Sequence, residues 1–292
     1  MINRPHLKHW FHTASTLLAL AGAAFVVLKI AEHSAQIDVS HFGASTWGAL
    51  TLLMIAYGAS NAFLARAWWQ LLNYLELQAA WPWALKTYGV SQINKYIPGN
   101  IFHLAGRQAL GMSTGMAARP LAQSALWELV MLALLGLLYG ALATPLGWPH
   151  MPAAAAIVLW ASLLTCGYVA LRRLGARPLA QAMCWQAGFL MMSGAVFIAV
   201  LLMSSQTSAL AYSALPSVCG AYVLAWLAGL VTPGAPAGVG VREAVLLLLL
   251  GGLFTPADLL VAVVLGRVVT ASGDLLFYLY ALSTRTKAHD HA

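Results

Sequence analysis

Seven stretches of this chain, at 11–31, 45–72, 121–143, 153–171, 180–203, 213–231 and 257–282, are apolar over a length that crosses a bilayer and nearly free of charge. Runs of that kind need lipid for a solvent. In lipid the backbone must satisfy its own N–H and C=O groups, which a helix does within one segment. The 15 Lys and Arg and 8 Asp and Glu among 292 residues are too few to coat a soluble surface. The mean hydropathy of +0.78 says the same. The alternating ten-residue segments of a membrane barrel are absent. The expected fold is therefore an all-α polytopic membrane protein, one integral membrane domain over 1–292 with about seven to eight transmembrane helices.

The net charge of +7 is concentrated beside the apolar runs, where Lys and Arg mark cytoplasmic loops rather than a nucleic-acid surface. Arg172, Arg173 and Arg177 form the densest basic cluster, and Arg119 precedes the third run, whereas 32–44, 144–152 and 204–212 hold no Lys or Arg. This pattern predicts a cytoplasmic amino terminus ahead of a first spanning helix at 11–31. Arg285 and Lys287 favour a cytoplasmic carboxyl end as well, which requires an even number of crossings. Whether 232–254 crosses is left open by the sequence. Prolines 82, 120, 152, 178 and 256 sit where helices should begin. Arg66 with Trp68 and Trp69 suggests a belt at the membrane boundary.

Two shorter apolar stretches, 84–112 and 232–254, are interrupted by the chain's two Pro-Gly dipeptides. Pro98-Gly99 is followed seven residues later by Arg107-Gln108-Ala109, and Pro233-Gly234 at the same spacing by Arg242-Glu243-Ala244. The match predicts an internal repeat, with a first half at 45–143 and a second at 180–282. Proline and glycine end a helix and leave backbone groups that hydrocarbon does not tolerate unless protein or water meets them. Two matching breaks predict a pair of re-entrant or broken helices lining a polar cavity, as in many transporters. A helix beginning just after such a break also aims free N–H groups at it, a natural place for an anion. The competing reading is two ordinary turns with Arg107 and Arg242 snorkelling to a headgroup region.

The segments "NKYIPGNIFHLAGRQALG", "ALWELVMLALLG" and "LVTPGAPAGVGVREAVLLLLL" resemble the lysylphosphatidylglycerol synthase transmembrane-domain family, which is also described as flippase-like. The likeness covers nearly the whole chain. It implies a bacterial-type inner-membrane protein with two re-entrant helices and a role in moving or handling lipids. Larger relatives carry a soluble aminoacyl-transfer domain after the membrane part. The sequence ends at Ala292 without one, so lipid aminoacylation is not expected. In the family the glutamate matching Glu128 is often followed by arginine; here Leu129 follows, which argues against a salt-bridged pair at that point. The small residues Pro236, Gly238 and Gly240 favour close backbone approach at the second break.

Arg107 and Arg242 are the first candidates for a site, since a guanidinium matches phosphate oxygens in geometry and stays charged. Together they would hold a lipid phosphate, unless each is neutralised by an acid, such as Glu128 or Asp274 for Arg242. Glu128, Glu243, Arg267 and Asp274 lie within apolar sequence and should face the bundle interior. Each carboxylate is either a proton-coupling group or the partner of an arginine. Asn94, Lys95 and Tyr96, just before the first break, either contact a headgroup or anchor the interface. His103 is read as structural. No nucleophile elbow, zinc-protease motif or phosphate loop occurs, and no metal or cofactor is expected. The leading expectation is a non-enzymatic lipid translocase or lipid-binding transporter for an anionic lipid, such as a phospholipid or a polyprenyl-phosphate-linked lipid. A membrane-embedded lipid-modifying enzyme, or a scaffold for a separate lipid-modifying enzyme, are the alternatives.

Overall fold

The computed structural model describes residues 43–96, 102–204, 211–232 and 238–284, and these are helix and turn with no strand. The run at 11–31 and the basic tail lie outside the described residues, as do Pro98, Gly99, Pro233 and Gly234. The helices are α1 (Ala44–Tyr74), α2 (Trp81–Gln92, continued by a 3-10 turn Ile93–Tyr96), α3 (Phe102–Ser113), α4 (Ala118–Gly147), α5 (Ala153–Arg173), α6 (Arg177–Ser204), α7 (Leu215–Val231), α8 (Val241–Leu250) and α9 (Pro256–Ser283). Six segments are long and apolar enough to cross a membrane: α1, α4, α5, α6, α9, and Tyr212–Val231, which ends in α7. They coincide with six of the seven apolar runs. This is an all-α, multi-pass membrane architecture.

The remaining helices are short. α2, α3 and α8 have 12, 12 and 10 residues, which is about 15–18 Å of helix, roughly half a hydrocarbon core. The prolines behave as their chemistry requires. Pro256 opens α9, Pro82 and Pro178 fall second in α2 and α6, Pro120 third in α4, and Pro152 caps α5. At each place a missing N–H costs no helical hydrogen bond.

α1 packs against α6, α9, α2 and α4, and α4 packs along α7. Close crossings are made by glycine. A Cβ on Gly58 of α1 would lie 2.8 Å from the Gly273 carbonyl oxygen of α9, and one on Gly220 of α7 2.8 Å from that of Tyr139 in α4. Lipid tails are as apolar as leucine, so close van der Waals packing of this sort is what draws membrane helices together. α5 is peripheral, with only Ala156 of its residues buried.

The short helices form two hairpins whose registers can be read contact by contact. Lys86 Nζ donates to the Thr284 carbonyl (3.1 Å), Gly89 abuts Ala281, and Tyr96 meets Asp274. α2 thus runs antiparallel to α9 and, with its 3-10 turn, stops level with Asp274, about 27 Å of helix short of the start of α9 at Pro256. α3 returns along α4: Gly111 abuts Leu121, and Gln108 Nε2 donates to the Leu121 carbonyl (2.7 Å).

In the second hairpin Gly220 abuts Tyr139 and Ala143, Leu224 abuts Gly140, and Leu227 abuts Gly136. Continuing that register, α7 ends level with Leu132, still about 20 Å of helix from the start of α4. α8 returns along α9, and its Leu248 and Leu249 come to lie beside Leu146 and Gly147 at the α4 C-terminus. The packing of α1–α4 recurs among α6–α9: α1 with α2 as α6 with α7, α2 with α9 as α7 with α4, α3 with α4 as α8 with α9.

The expected close approach at the second break is present. Gly229 and Gly238 are so near that a Cβ on Gly238 would lie 2.7 Å from the Gly229 Cα. Gly238 and Gly240 have φ of +72° and +84°, a region open to glycine without strain. The expected boundary belt holds only in part. Arg66 stacks 4.2 Å over Trp69 and 4.9 Å over Trp81, but Trp68 is 1% exposed and donates to Ser124 Oγ at 3.1 Å. Trp68 and Trp69 are adjacent and point about 100° apart on the helix, so one is core and the other boundary.

Candidate functional site

The described residues that flank the two Pro-Gly breaks line a cavity of about 400 Å³. Tyr88 and Lys95 reach it from the first hairpin, Leu230, Val239 and Arg242 from the second, with Glu128 of α4 and Asp274 of α9 across from them. Glu128 is ten residues into α4, about 15 Å along its axis, which puts it near mid-depth of a hydrocarbon core. Charge at that depth is costly and has to be matched or functional.

Most of it is matched. Arg107 Nη1 lies 2.6 Å from Glu128 Oε2, and Tyr88 Oη donates to Glu128 Oε1 at 2.9 Å. The Arg107 guanidinium also stacks over Tyr88 (4.3 Å) and Trp68 (5.4 Å). Both partners of this pair are 3% exposed. Lys95 Nζ lies 2.8 Å from Asp274 Oδ2, which Tyr96 Oη also approaches at 2.5 Å, while Asn61 Nδ2 donates to Oδ1 at 3.1 Å. Arg267 donates through Nε and Nη2 to Glu243 Oε1 at 2.9 and 2.7 Å. The other Glu243 oxygen accepts from the Gly240 N–H at 2.6 Å.

Arg242 is the exception. It lines the cavity, its Nε is buried without a hydrogen-bond partner, and no acidic side chain pairs with it among the described residues. The difference between the two motifs shows why. In the first motif Arg107 has Gln108 beside it and finds its acid, Glu128, on the following helix. In the second motif the acid sits at the adjacent position, Glu243, and the following helix supplies Arg267 instead. Consecutive residues on a helix do not face each other, so Glu243 turns to Arg267 and leaves Arg242 toward the cavity.

These contacts revise several sequence expectations. Arg107 does not line the cavity; it is locked to Glu128, so the pairing of Arg107 with Arg242 around one phosphate has no basis in the geometry. Glu128 is salt-bridged although Leu129 follows it, because its partner comes from α3 rather than from its own helix. Arg242 is neutralised by neither Glu128 nor Asp274, whose ion-pair partners are Arg107 and Lys95. The N–H of Gly240, the residue capping α8, is occupied by Glu243, whose carboxylate at the helix start leaves less room there for an anion than the position suggests.

Of the residues ahead of the first break, Lys95 and Tyr96 line the cavity, while Asn94 packs against α3 beside Gly106. Arg267 and Asp274 line it as well, and Glu243 stands behind Arg267. Pro98, Gly99, Pro233 and Gly234 lie outside the described residues. Sequence reasoning missed Tyr88, Asn61 and Gln92. A polar side chain inside an apolar run was the available signal, and Asn61 carries it plainly. Neither a protein-family model nor a curated protein matches this chain.

Proposed function

We propose that this protein is a flippase-like lipid translocase, of the kind its motifs resemble, moving an anionic lipid across a bacterial-type inner membrane. The observation that carries this reading is Arg242: among the described residues its guanidinium has no acidic partner and faces a cavity where the other nearby charges are matched. A cavity of about 400 Å³ lies in the range of small-ligand sites and suits a lipid headgroup.

The hairpin registers support reading α2–α3 and α7–α8 as re-entrant pairs belonging to an inverted repeat. α7 and α8 end at opposite ends of their shared hairpin, with α7 stopping at mid-depth and α8 finishing by the α4 C-terminus. Long spans α1, α4, α5, α6 and α9 then make five crossings, and a helix at 11–31 would make the even number that two cytoplasmic ends require. Two half-depth hairpins entering from opposite faces meet at one central site. Rocking of one half against the other exposes such a site to each side in turn.

The scaffold alternative needs both motif arginines neutralised and no cavity between them, and Arg242 speaks against it. The enzyme alternative needs Glu128, His103 and Glu243 to face one cavity. Glu128 and His103 do, but Glu243 is turned to Arg267 and Gly240. The test is transfer of a labelled anionic lipid between leaflets of proteoliposomes. Arg242→Ala is expected to lower the rate at least about tenfold, the worth of one charge-assisted hydrogen bond, with the thermal midpoint in detergent unchanged. Undiminished transfer by a folded Arg242→Ala protein would remove the site.

A further inference from the structure

We infer that the cavity selects a headgroup carrying one net negative charge, a phosphodiester, over both dianionic phosphomonoesters and zwitterions; this rests on the lipid-binding reading above. The inference comes from the charges gathered in and around the cavity. Lys95, Arg107 and Arg267 each meet one carboxylate, respectively Asp274, Glu128 and Glu243. Each pair sums to zero. His103 is one turn before Arg107 on α3, where a further positive charge would be repelled, and is counted neutral. Arg242 remains, so among the described residues the cluster carries one positive charge.

At mid-depth the surroundings do little to screen a surplus. A monoanion brings the occupied cavity to neutrality. A dianion leaves one negative charge over, and a zwitterion leaves Arg242 as unmatched as before while asking one of the three ion pairs to open for its cation. Opening is expensive, because a buried pair that loses one partner strands the other. The Arg242 fork supplies the geometry, since two parallel N–H donors fit the two unesterified oxygens of a diester. The rest of the lining is mostly apolar and aromatic, with Leu104, Leu132, Phe189 and Trp226, and its other polar members, Gln92, His103 and Thr270, are counted neutral, so among the described residues no second cation is free to compensate a second phosphate charge.

The polarity swap between the two motifs is what produces the surplus. Had the second motif kept a neutral residue at 243 and an acid at 267, the charges of the cluster would cancel in total, with Lys95 of the first half still meeting Asp274 of the second. The selectivity is therefore written in three side chains of the second half: Arg242, Glu243 and Arg267.

The test is equilibrium binding to the full chain in uncharged detergent at pH 8, where a phosphomonoester carries close to two charges. The probes are dioctanoyl phosphatidylglycerol (diester), dioctanoyl phosphatidic acid (monoester), dioctanoyl phosphatidylcholine (zwitterion) and dimethyl phosphate as a free diester. The wild type is expected to hold phosphatidylglycerol about tenfold or more above the other three, and Arg242→Gln to erase the difference. Asp274→Asn and, independently, Glu128→Gln each raise the cluster to two positive charges, and either one is expected to move the preference toward phosphatidic acid. Two variants on different helices keep the test alive if one fails to fold.

Equal binding of the diester and the monoester by the wild type, or a preference that neither folded variant moves, overturns the inference. Dimethyl phosphate binding as tightly as phosphatidylglycerol overturns its lipid part and leaves a small-anion site. Transfer in proteoliposomes is scored separately. Charge-selective binding without transfer sinks only the translocase reading, and transfer without charge selectivity sinks only this inference.

Discussion

Two arginines at the same place in two matching motifs have opposite fates, and that contrast can be measured. Arg107 is a buried ion-pair partner and Arg242 faces a cavity. Removing one partner of a buried pair strands the other and costs about 3–5 kcal/mol, whereas replacing both costs far less. Arg107→Ala and Glu128→Ala are expected to lower the thermal midpoint sharply in detergent, and Arg107→Met combined with Glu128→Leu to recover much of the loss. Arg242→Ala should leave the midpoint where it is. A midpoint that falls as far for Arg242→Ala as for Arg107→Ala would make both arginines structural. The sequence made these residues visible, because a charge inside an apolar run stands out. It did not show who pairs with whom. Arg107 and Glu128 are brought together by the α3–α4 turn, and Lys95 and Asp274 by the α2–α9 contact, far apart in the chain. Residue type announces a cost, and only packing says how the cost is met.

Helix existence was legible from apolar run length, which lipid dictates directly, and six runs match six long segments. The crossings between helices were not legible, since a glycine at a contact looks in sequence like any other glycine. Gly58 and Gly273 sit where α1 and α9 touch, and a methyl at either would meet backbone within 3 Å. Backbone cannot step aside as a side chain can, so Gly58→Ala or Gly273→Ala is expected to destabilise by about 1–3 kcal/mol. Gly48, on an exposed face of α1 with nothing within 4 Å, is the control. There alanine relieves the poor helix propensity of glycine and should be neutral or stabilising by up to about 1 kcal/mol. Thermal unfolding of the three single variants in one detergent decides the point; equal midpoints would mean that the α1–α9 contact is not tight.

Across the whole molecule the open question was the segment at 232–254, because the parity of crossings turns on it. Hydropathy cannot settle a segment whose helix, α8, has only 10 residues, and the answer lies in which end of α4 its neighbours touch. The α4–α5 connection at 148–152 and the α5–α6 turn at 174–176 must lie on opposite sides, since α5 runs between them. The last residues of α8 lie beside the α4 C-terminus. The Lys86–Thr284 hydrogen bond holds the end of α9 beside the start of α2. On the re-entrant reading, the turn between α8 and α9 therefore shares a side with Trp148, opposite Leu174. In a background with Cys166, Cys184 and Cys219 replaced by alanine, single cysteines at Trp148, Leu174 and Gly252 report this directly. A membrane-impermeant maleimide added to sealed, right-side-out vesicles should label Trp148→Cys and Gly252→Cys, and label Leu174→Cys only after the vesicles are opened, if the arginines flanking Leu174 lie on the cytoplasmic side as the proposed orientation requires. If Gly252→Cys behaves like Leu174→Cys, α7 crosses fully, α9 runs the other way, and the two hairpins no longer enter from opposite faces. The cavity would then open to one side only, and alternating exposure of Arg242 would lose its structural basis.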